Sequence, residues 1–145
     1  MNEVVGSSVM YFRTRIPRNV TLSYNGLAIA PVQAMINGAL FEWVVENLLK
    51  NSLDALQGQG EIDVRISDDL EWVYIDVKDT GKGIPKSNFK RIFEPGFTTK
   101  TRGWGLGLSL SRRIIEEYHK GRIYVVDSEP GRGTTIRIAL KRLYA

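Results

Sequence analysis

The order of hydrophobic and polar residues along the chain predicts three helices. In residues 1–16, apolar residues recur every three to four positions, and Pro17 ends the pattern. The longest helical pattern covers residues 36–56, with Gly58 just beyond it as a stop signal. A third pattern of the same period covers residues 105–119. The long central helix has a broad apolar face, which must pack against other parts of the fold.

Alternation of apolar and polar residues predicts five strands, at about 19–24, 62–66, 72–78, 122–127 and 133–140. Residues 129–131 form the turn between the last two strands. The segments 25–35 and 80–104 are predicted to be loops, the second with one short helix near 86–92. This element order predicts an α+β fold, in which a mixed sheet of about five strands packs on one face against about three helices.

The composition is that of one ordinary globular domain. The 145 residues are 43% hydrophobic and 25% charged. There is no cysteine, and His119 is the only histidine, so thiol nucleophiles, disulfide frameworks and zinc sites built from cysteine or several histidines are excluded. No apolar run approaches the roughly 18–20 residues of a membrane span, and no signal peptide is recognisable. We therefore expect a soluble, cytoplasmic domain.

The net charge of +4 changes this picture little. A basic domain suits a polyanionic partner such as a nucleotide or a nucleic acid. The chain, however, has no dense run of lysine and arginine with interleaved aromatic residues, so no nucleic-acid partner is expected.

The first candidate site lies on the long helix. Asn47, Lys50, Asn51 and Asp54 follow the spacing i, i+3, i+4, i+7 and form one polar stripe. Such a stripe is most often a solvated face, but asparagine is a poor helix former, and two of them one turn apart are unusual there. Two amide oxygens at this spacing can face one hard cation such as Mg²⁺, which takes oxygen ligands and phosphates.

The second candidate is the turn at residues 79–83, Asp-Thr-Gly-Lys-Gly. Asp79 shares the phase of the apolar residues in its strand, so its carboxylate is predicted to point inward, where it needs hydrogen-bond donors. An adenine amino group is one such donor. The simpler interpretation is a turn cap, in which Asp79 accepts from the backbone of Gly81. The pattern alone favours the cap.

The third candidate is a glycine-rich turn. Gly103, Gly105 and Gly107 alternate with other residues directly before a predicted helix. Bare backbone N–H groups at the start of a helix form a phosphate cradle, although such a turn can also be a flexible hinge. The phosphate-loop pattern GxxxxGK(S/T) is absent, as is the dinucleotide pattern GxGxxG.

The fourth candidate is the segment 92–100, which reads Ile-Phe-Glu-Pro-Gly-Phe-Thr-Thr-Lys. It lies in the long predicted loop, and loops of that length within one domain are usually functional or disordered. Phe93 and Phe97 are placed to pin a mobile lid to the body, and Lys100 adds positive charge beside the glycines. Alone, the segment also fits an ordinary loop with aromatic anchors.

Taken together in this order and spacing, the four motifs resemble the N, G1, F and G2 boxes of sensor histidine kinases over roughly residues 37–140. The wider GHKL superfamily, which includes gyrase, the heat-shock chaperone ATPases and MutL, shares the first, second and fourth motifs. The F box is typical of the kinases. The resemblance implies the Bergerat fold, a two-layer α/β sandwich that binds ATP and Mg²⁺ between its helices and a flexible lid.

The same resemblance implies roles for individual residues. Asn51 is the Mg²⁺ ligand and, with Asn47 and Lys100, belongs to the catalytic group. Asp79 accepts from the adenine amino group, and Thr134 lies beside the base. The other implied nucleotide contacts are Lys50 and Asp54 on the helix, Gly81, Gly83 and Ile84 near the base, Phe97, Thr98 and Thr99 in the lid, and Gly103, Trp104, Gly105, Leu106, Gly107 and Leu108 around the phosphates. Gly81 and Gly83 are implied to let the backbone pass close to the base. Asp54 and Trp104 depart from the residues usual in the kinases, which leaves their roles open.

Position 47 separates the branches of the superfamily. Members that hydrolyse ATP carry glutamate there, as the base that activates water, whereas this chain has Asn47. The resemblance therefore implies transfer of the γ-phosphate to a histidine. His119 does not match a phosphoacceptor, because Lys120 follows it where an acidic residue is expected. We interpret His119 as a helix-end residue whose cation suits the helix dipole.

The resemblance implies that residues 17–145 are the catalytic and ATP-binding domain of a two-component histidine kinase, a phosphotransferase. Residues 1–16 are then the tail of a linker helix from a dimerisation domain, which carries the phosphoacceptor histidine. A response regulator is the further implied partner in the phosphorelay. No direct membrane contact is expected of the domain, and the isolated domain is expected to be monomeric.

Two alternatives belong to other classes of protein. A stand-alone serine kinase of the anti-sigma type has a similar length, but it lacks the full segment 92–100 and usually keeps a carboxylate at position 47. An ATP-driven clamp of the gyrase or MutL type needs efficient hydrolysis, which Asn47 argues against.

Overall fold

Five strands form one mixed sheet, and helices cover one of its faces. The computed structural model describes residues 2–26, 36–95 and 107–142. In chain order the elements are α1 (Asn2–Arg13), β1 (Val20–Asn25), α2 (Gly38–Leu56), β2 (Gly60–Asp68), β3 (Trp72–Asp79), α3 (Gly107–Arg113), β4 (Arg122–Glu129) and β5 (Gly133–Lys141). The strand order is β1-β2-β3-β5-β4, with β1 and β2 parallel and all other neighbours antiparallel. The predicted α+β sandwich is confirmed.

The core lies between the inward face of the sheet and the apolar side of α2. Alternate residues of β2, β3 and β5 are buried, as the alternation predicts. The buried strand residues are Ile62, Val64, Ile66, Val73, Ile75, Val77, Ile136, Ile138 and Leu140, and those of α2 are Phe41, Val44, Val45, Leu48, Leu49 and Leu56. Helix α1 adds Val5, Val9 and Phe12 to the same core. The first helix is therefore packed into the domain.

The two ends of α2 show how local sequence signals start and stop the helix. Asn37 caps the start, because its side chain accepts a hydrogen bond from the Leu40 N–H at 3.1 Å. At the other end the left-handed residue is Gln57, with a φ of 55°, and Gly58 follows it at 90°. The helix thus ends at Leu56, as predicted, and the residue in the left-handed conformation directly after it is Gln57, followed by the glycine.

Three helical segments differ from the prediction in their ends or their type. Helix α1 ends at Arg13, before Ile16 completes its apolar row. The single helix expected near 86–92 is two separate 3₁₀ turns, Lys86–Asn88 and Arg91–Phe93. The third helix changes character after Arg113, because Ile114–Tyr118 continues it as a π-helical turn.

Some predicted features lie outside the described residues. They are most of the loop 25–35 and the part of the loop 80–104 from residue 96 onward. Within the described ranges, no helix is both long and apolar enough to cross a membrane.

Candidate functional site

Asp79 is the last residue of β3, and it is only 4% exposed. One carboxylate oxygen accepts the N–H of Gly81 at 2.9 Å, which is the turn cap that the sequence offers as its simpler interpretation. The Ser52 hydroxyl and the Thr134 backbone also donate to this carboxylate. Burial raises the pKa of Asp79, and these three hydrogen bonds oppose the rise. The site thus holds a buried, well-supported acceptor at the edge of the core.

The glycines after Asp79 allow close packing of backbone on backbone. A Cβ atom on Gly81 would lie 2.5 Å from the carbonyl oxygen of Ala55, and the N–H of Lys82 donates to that same oxygen at 3.1 Å. Gly83 has a φ of 72°, and a Cβ there would overlap the carbonyl of Glu129. The sequence predicts that these glycines let the backbone approach adenine. What they approach in this structure is the protein's own backbone.

The polar stripe on α2 divides by exposure. Asn47 and Asn51 are half-buried, whereas Lys50 and Asp54 are exposed. The Nδ2 of Asn47 donates to the hydroxyl of Ser111 on α3 at 3.1 Å. No residue in the described part of the chain forms a hydrogen bond with the side chain of Asn51. Within the described residues, this amide therefore holds no other group in place.

The start of α3 faces Asn47 directly. A Cβ built on Gly107 would lie 2.6 Å from the Oδ1 of Asn47, so only glycine leaves room for that amide. Leu108, the next residue, packs against the core. Of the predicted phosphate-wrapping residues, these two are described. Phe97, Thr98, Thr99, Lys100, Gly103, Trp104, Gly105 and Leu106 lie outside the described residues. In the segment 92–100, Phe93 is buried, which fits an aromatic anchor in a lid and in an ordinary loop alike.

Ile84 and Thr134 meet through Ser128. The N–H of Ile84 donates to the Ser128 hydroxyl at 2.8 Å, and Ser128 donates to the carbonyl of Gly133 at 3.0 Å. Because that uses the single hydrogen of Ser128, the Thr134 hydroxyl must donate to it, at 2.8 Å. Thr134 is buried opposite Asp79 in the β3–β5 ladder. The structure therefore brings Asp79, Ile84 and Thr134 together.

Three serines of this region are missed by the sequence analysis. Ser52 and Ser111 occupy the buried phase of α2 and α3, where a polar residue among apolar neighbours is the signal that would have found them. Ser128 follows a β-bulge between Val125 and Asp127, and the alternation of apolar residues gives no sign of it.

His119 corrects one interpretation. It does end the last helix, but it is not the expected cation. Its Nε2 accepts the backbone N–H of Asn37 at 2.9 Å, and its Nδ1 lies 3.0 Å from the carbonyl of Ile114. The two contacts require a neutral ring with the proton on Nδ1. The ring also packs edge-on against Phe41.

Comparison with known proteins places this geometry in a family. Residues 37–143 match the family model described as histidine kinase-, DNA gyrase B-, and HSP90-like ATPase. The chain belongs to this family. Over 97% of its length it is 34% identical to the nitrogen regulation protein NtrY of Azorhizobium caulinodans, and over 66% it is 43% identical to sporulation kinase A of Bacillus subtilis. It spans less than a fifth of either relative, 19% and 16% respectively.

Solved structures agree with the sequence relatives. The catalytic domain of the histidine kinase ThkA, free of nucleotide, aligns with a TM-score of 0.85 at 27% identity, over 97% of this chain and 93% of that one. The mycobacterial sensor histidine kinase MprB aligns with a TM-score of 0.84 at 25% identity, over 100% of this chain and 96% of that one. The chain is therefore a catalytic domain of the sensor histidine kinase type, and it binds ATP. The resemblance drawn from the four motifs is confirmed.

Proposed function

We propose that this domain binds Mg-ATP at the edge of the sheet and donates the γ-phosphate to a histidine on a separate dimerisation domain. The observation that carries the proposal is the amide at position 47. Asn47 is held by Ser111 and has no carboxylate with which to activate water. The catalytic work of this domain is then positioning and charge neutralisation, as in other phosphoryl transfers.

The adenine end of the proposed site is the group around Asp79. Its buried carboxylate suits the exocyclic amino group of adenine, and Thr134 and Ile84 are close enough to line the same place. Gly81 and Gly83 keep the turn below it compact. Three protein donors already hold the carboxylate in place, so its direction is set before a ligand arrives.

The phosphate end of the proposed site is the face of α2 toward α3. Asn51 and Asn47 lie one helical turn apart, and Lys50 and Asp54 flank them. Gly107 and Leu108 begin the helix opposite. We assign the lid residues Phe97–Lys100, and the phosphate contacts of Gly103–Leu106 with Trp104, on the resemblance alone.

The donor set near Asn51 fits Mg²⁺ in one specific way. Across the described ranges, no three side chains of His, Cys, Asp or Glu come together as a metal site. A cation held here would take the amide oxygen of Asn51 together with phosphate oxygens of the nucleotide, and such a mixed shell is what Mg²⁺ prefers. When bound, the ion would neutralise phosphate charge. The amide of Asn51, which forms no hydrogen bond with a described residue, supports this assignment.

The partners proposed for the full-length kinase come from its relatives. A crystal structure of ThkA, 26% identical to this chain, holds that kinase in complex with the response regulator protein TrrA. We propose a response regulator and a histidine-bearing dimerisation domain as the partners of this chain as well, with α1 as the end of the linking helix. The buried Val5, Val9 and Phe12 would fasten that helix to the domain. We further propose a cytoplasmic location and a monomeric state for the isolated domain.

The proposal is tested in two steps. Calorimetry with ADP and a non-hydrolysable ATP analogue should show Mg²⁺-dependent binding that Asn51→Ala abolishes. Labelled ATP should then transfer phosphate to the histidine-bearing hairpin of the same kinase, with little release of inorganic phosphate. A steady ATPase rate that Asn47→Ala abolishes, without transfer to the hairpin, would contradict the kinase and favour an ATP-hydrolysing clamp.

A further inference from the structure

Ser111 is a fully enclosed residue of α3 that none of the four motifs includes. Its hydroxyl oxygen lies 2.8 Å from the carbonyl oxygen of Gly107 and 3.1 Å from the Nδ2 of Asn47. A serine hydroxyl has one hydrogen, and a carbonyl can only accept, so this hydrogen goes to Gly107. The Ser111 oxygen is left as an acceptor for Asn47.

An acceptor at that place determines which way the Asn47 amide points. The nitrogen must face Ser111, and the oxygen must face away from it. That oxygen finds room beside Gly107, where a side chain would collide with it. While the Ser111 hydrogen is bonded to Gly107, a carboxylate at position 47 would face the lone pairs of Ser111 with its own. The bond from Ser111 to Gly107 therefore favours an amide at position 47.

We infer that Ser111 is a positioning residue of the nucleotide site, which holds Asn47 so that its amide oxygen, and not its nitrogen, is available to a ligand on the α2 face. The identity of that ligand, Mg-ATP, rests on the proposed function. The hydrogen bond itself does not. Without Ser111 the amide is free to turn over and present its nitrogen, which repels a cation.

The test uses three variants of the domain. Ser111→Ala removes the acceptor, and Ser111→Thr keeps a hydroxyl that a helix also allows to bond the carbonyl four residues earlier. Ser8→Ala is the matched control, because Ser8 is 2% exposed and none of the residues that the structure describes forms a hydrogen bond with its hydroxyl. The control deletes the same group from another buried serine, on α1.

Two readouts separate positioning from packing. In the nucleotide-free domain, NMR should show the Asn47 side-chain amide hydrogens exchanging at least about fivefold faster in Ser111→Ala than in the wild type, the factor that one neutral hydrogen bond represents. In titrations, the gain in ATP affinity on adding Mg²⁺ should also fall about fivefold, with the Mg²⁺-free affinity within about twofold of the wild type. Ser111→Thr and Ser8→Ala should match the wild type in both.

Unchanged amide exchange in Ser111→Ala would overturn the inference whatever the nucleotide does. Faster exchange with an unaltered Mg²⁺ effect would also overturn it, since Ser111 would then serve the packing alone. A wild-type domain that binds no nucleotide contradicts the proposed function. That result is distinct from failure of the inference, in which the wild type binds and the variants do not differ from it.

Discussion

The Nε2 of His119 accepts the backbone N–H of Asn37 at 2.9 Å, which ties the end of the last helix to the start of α2. The link spans 82 residues of sequence and joins the ring to the residue that caps α2. Its other nitrogen lies within hydrogen-bond distance of the Ile114 carbonyl, and its ring packs against Phe41. This histidine therefore holds the two helices together.

His119→Ala should therefore lower the stability of the domain. The change leaves the Asn37 N–H without its partner, removes the bond from the ring to the Ile114 carbonyl and removes ring packing, for a loss of about 1–2 kcal/mol. Urea unfolding measures it. Tyr118→Ala is the control, because Tyr118 is 67% exposed and should cost less than about 0.5 kcal/mol. Equal losses of unfolding free energy in the two variants would contradict this structural role of His119.

Asp79→Asn should keep the fold but weaken ATP binding about tenfold or more. An asparagine presents an amine where adenine needs an acceptor, and a site built around one hydrogen-bond pattern rejects the other. Calorimetry with ADP checks the affinity, and circular dichroism checks the fold. Equal affinity in the variant would remove Asp79 from the proposed site.

The same variant should change how stability depends on pH. Burial raises the pKa of Asp79 above its ordinary 3.8, so the native state keeps this proton at a pH where the unfolded chain has lost it. The contribution of Asp79 to stability is then greatest below its ordinary pKa and falls as pH rises toward the raised value. Asp79→Asn should lose that slope. Urea denaturation at several pH values from about 4 to 7 checks this. The prediction is contradicted if, between pH 4 and pH 7, the free energy of unfolding rises less in the variant than in the wild type.

Gly83→Ala should be far more harmful than the same change at Gly131. Both glycines have left-handed backbone, with φ of 72° and 83°. A Cβ at Gly83 would overlap the Glu129 carbonyl, whereas one at Gly131 meets nothing within 4 Å. The strain shared by both costs about 1 kcal/mol, and the clash should add about 2 kcal/mol or more at Gly83 alone. Thermal unfolding of the two variants gives the difference directly, and equal losses would show that no clash exists.

The pair Arg137 and Asp76 should stabilise the uncovered face of the sheet. Two parallel bonds of 2.8 and 2.9 Å join them, the guanidinium lies 4.6 Å from the centre of the Tyr74 ring, and Asp76 raises the pKa of Arg137. Asp76→Asn should cost about 1 kcal/mol in urea unfolding. Glu117→Gln breaks the far more exposed pair with Arg113 and should cost under about 0.5 kcal/mol. The reverse ranking would contradict this account.

The sequence predicted the layers of the fold because burial here follows local periods. The alternation in β2, β3 and β5 placed every inward residue correctly, including Asp79, and the spacing in α2 placed its apolar face. Boundaries were less predictable, since they depend on partners distant in the sequence. Ile16 continues the helical row of α1, yet the chain leaves the helix at Arg13, whose side chain donates to the carbonyl of Leu22 on β1.

Sequence motifs predicted the residues of the candidate site, but they did not predict the hydrogen bonds that orient those residues. The motifs predicted Asp79, Asn47 and Gly107. The serines that hydrogen-bond to these residues, Ser52 and Ser111, belong to no motif, and each is marked only by its place in the buried phase of a helix. Ser52 and Ser111 each act through one hydroxyl. That hydroxyl forms its hydrogen bond only when a neighbouring element packs against it, which the sequence does not reveal. The hydrogen bond that His119 accepts is of the same kind, because its donor, the N–H of Asn37, lies 82 residues away in the sequence.

The place of β5 in the sheet has a consequence for synthesis on the ribosome. Of the five strands that the structure describes, β5 is made after the other four, yet it lies between β3 and β4, so both of those strands keep an open inner edge until it arrives. Open edges invite pairing with other chains. Asp79 also acquires its Thr134 partner only at that step. A nascent chain that has not yet released β5 therefore lacks the Thr134 donor of Asp79, and the edges of β3 and β4 that will face β5 are still unpaired.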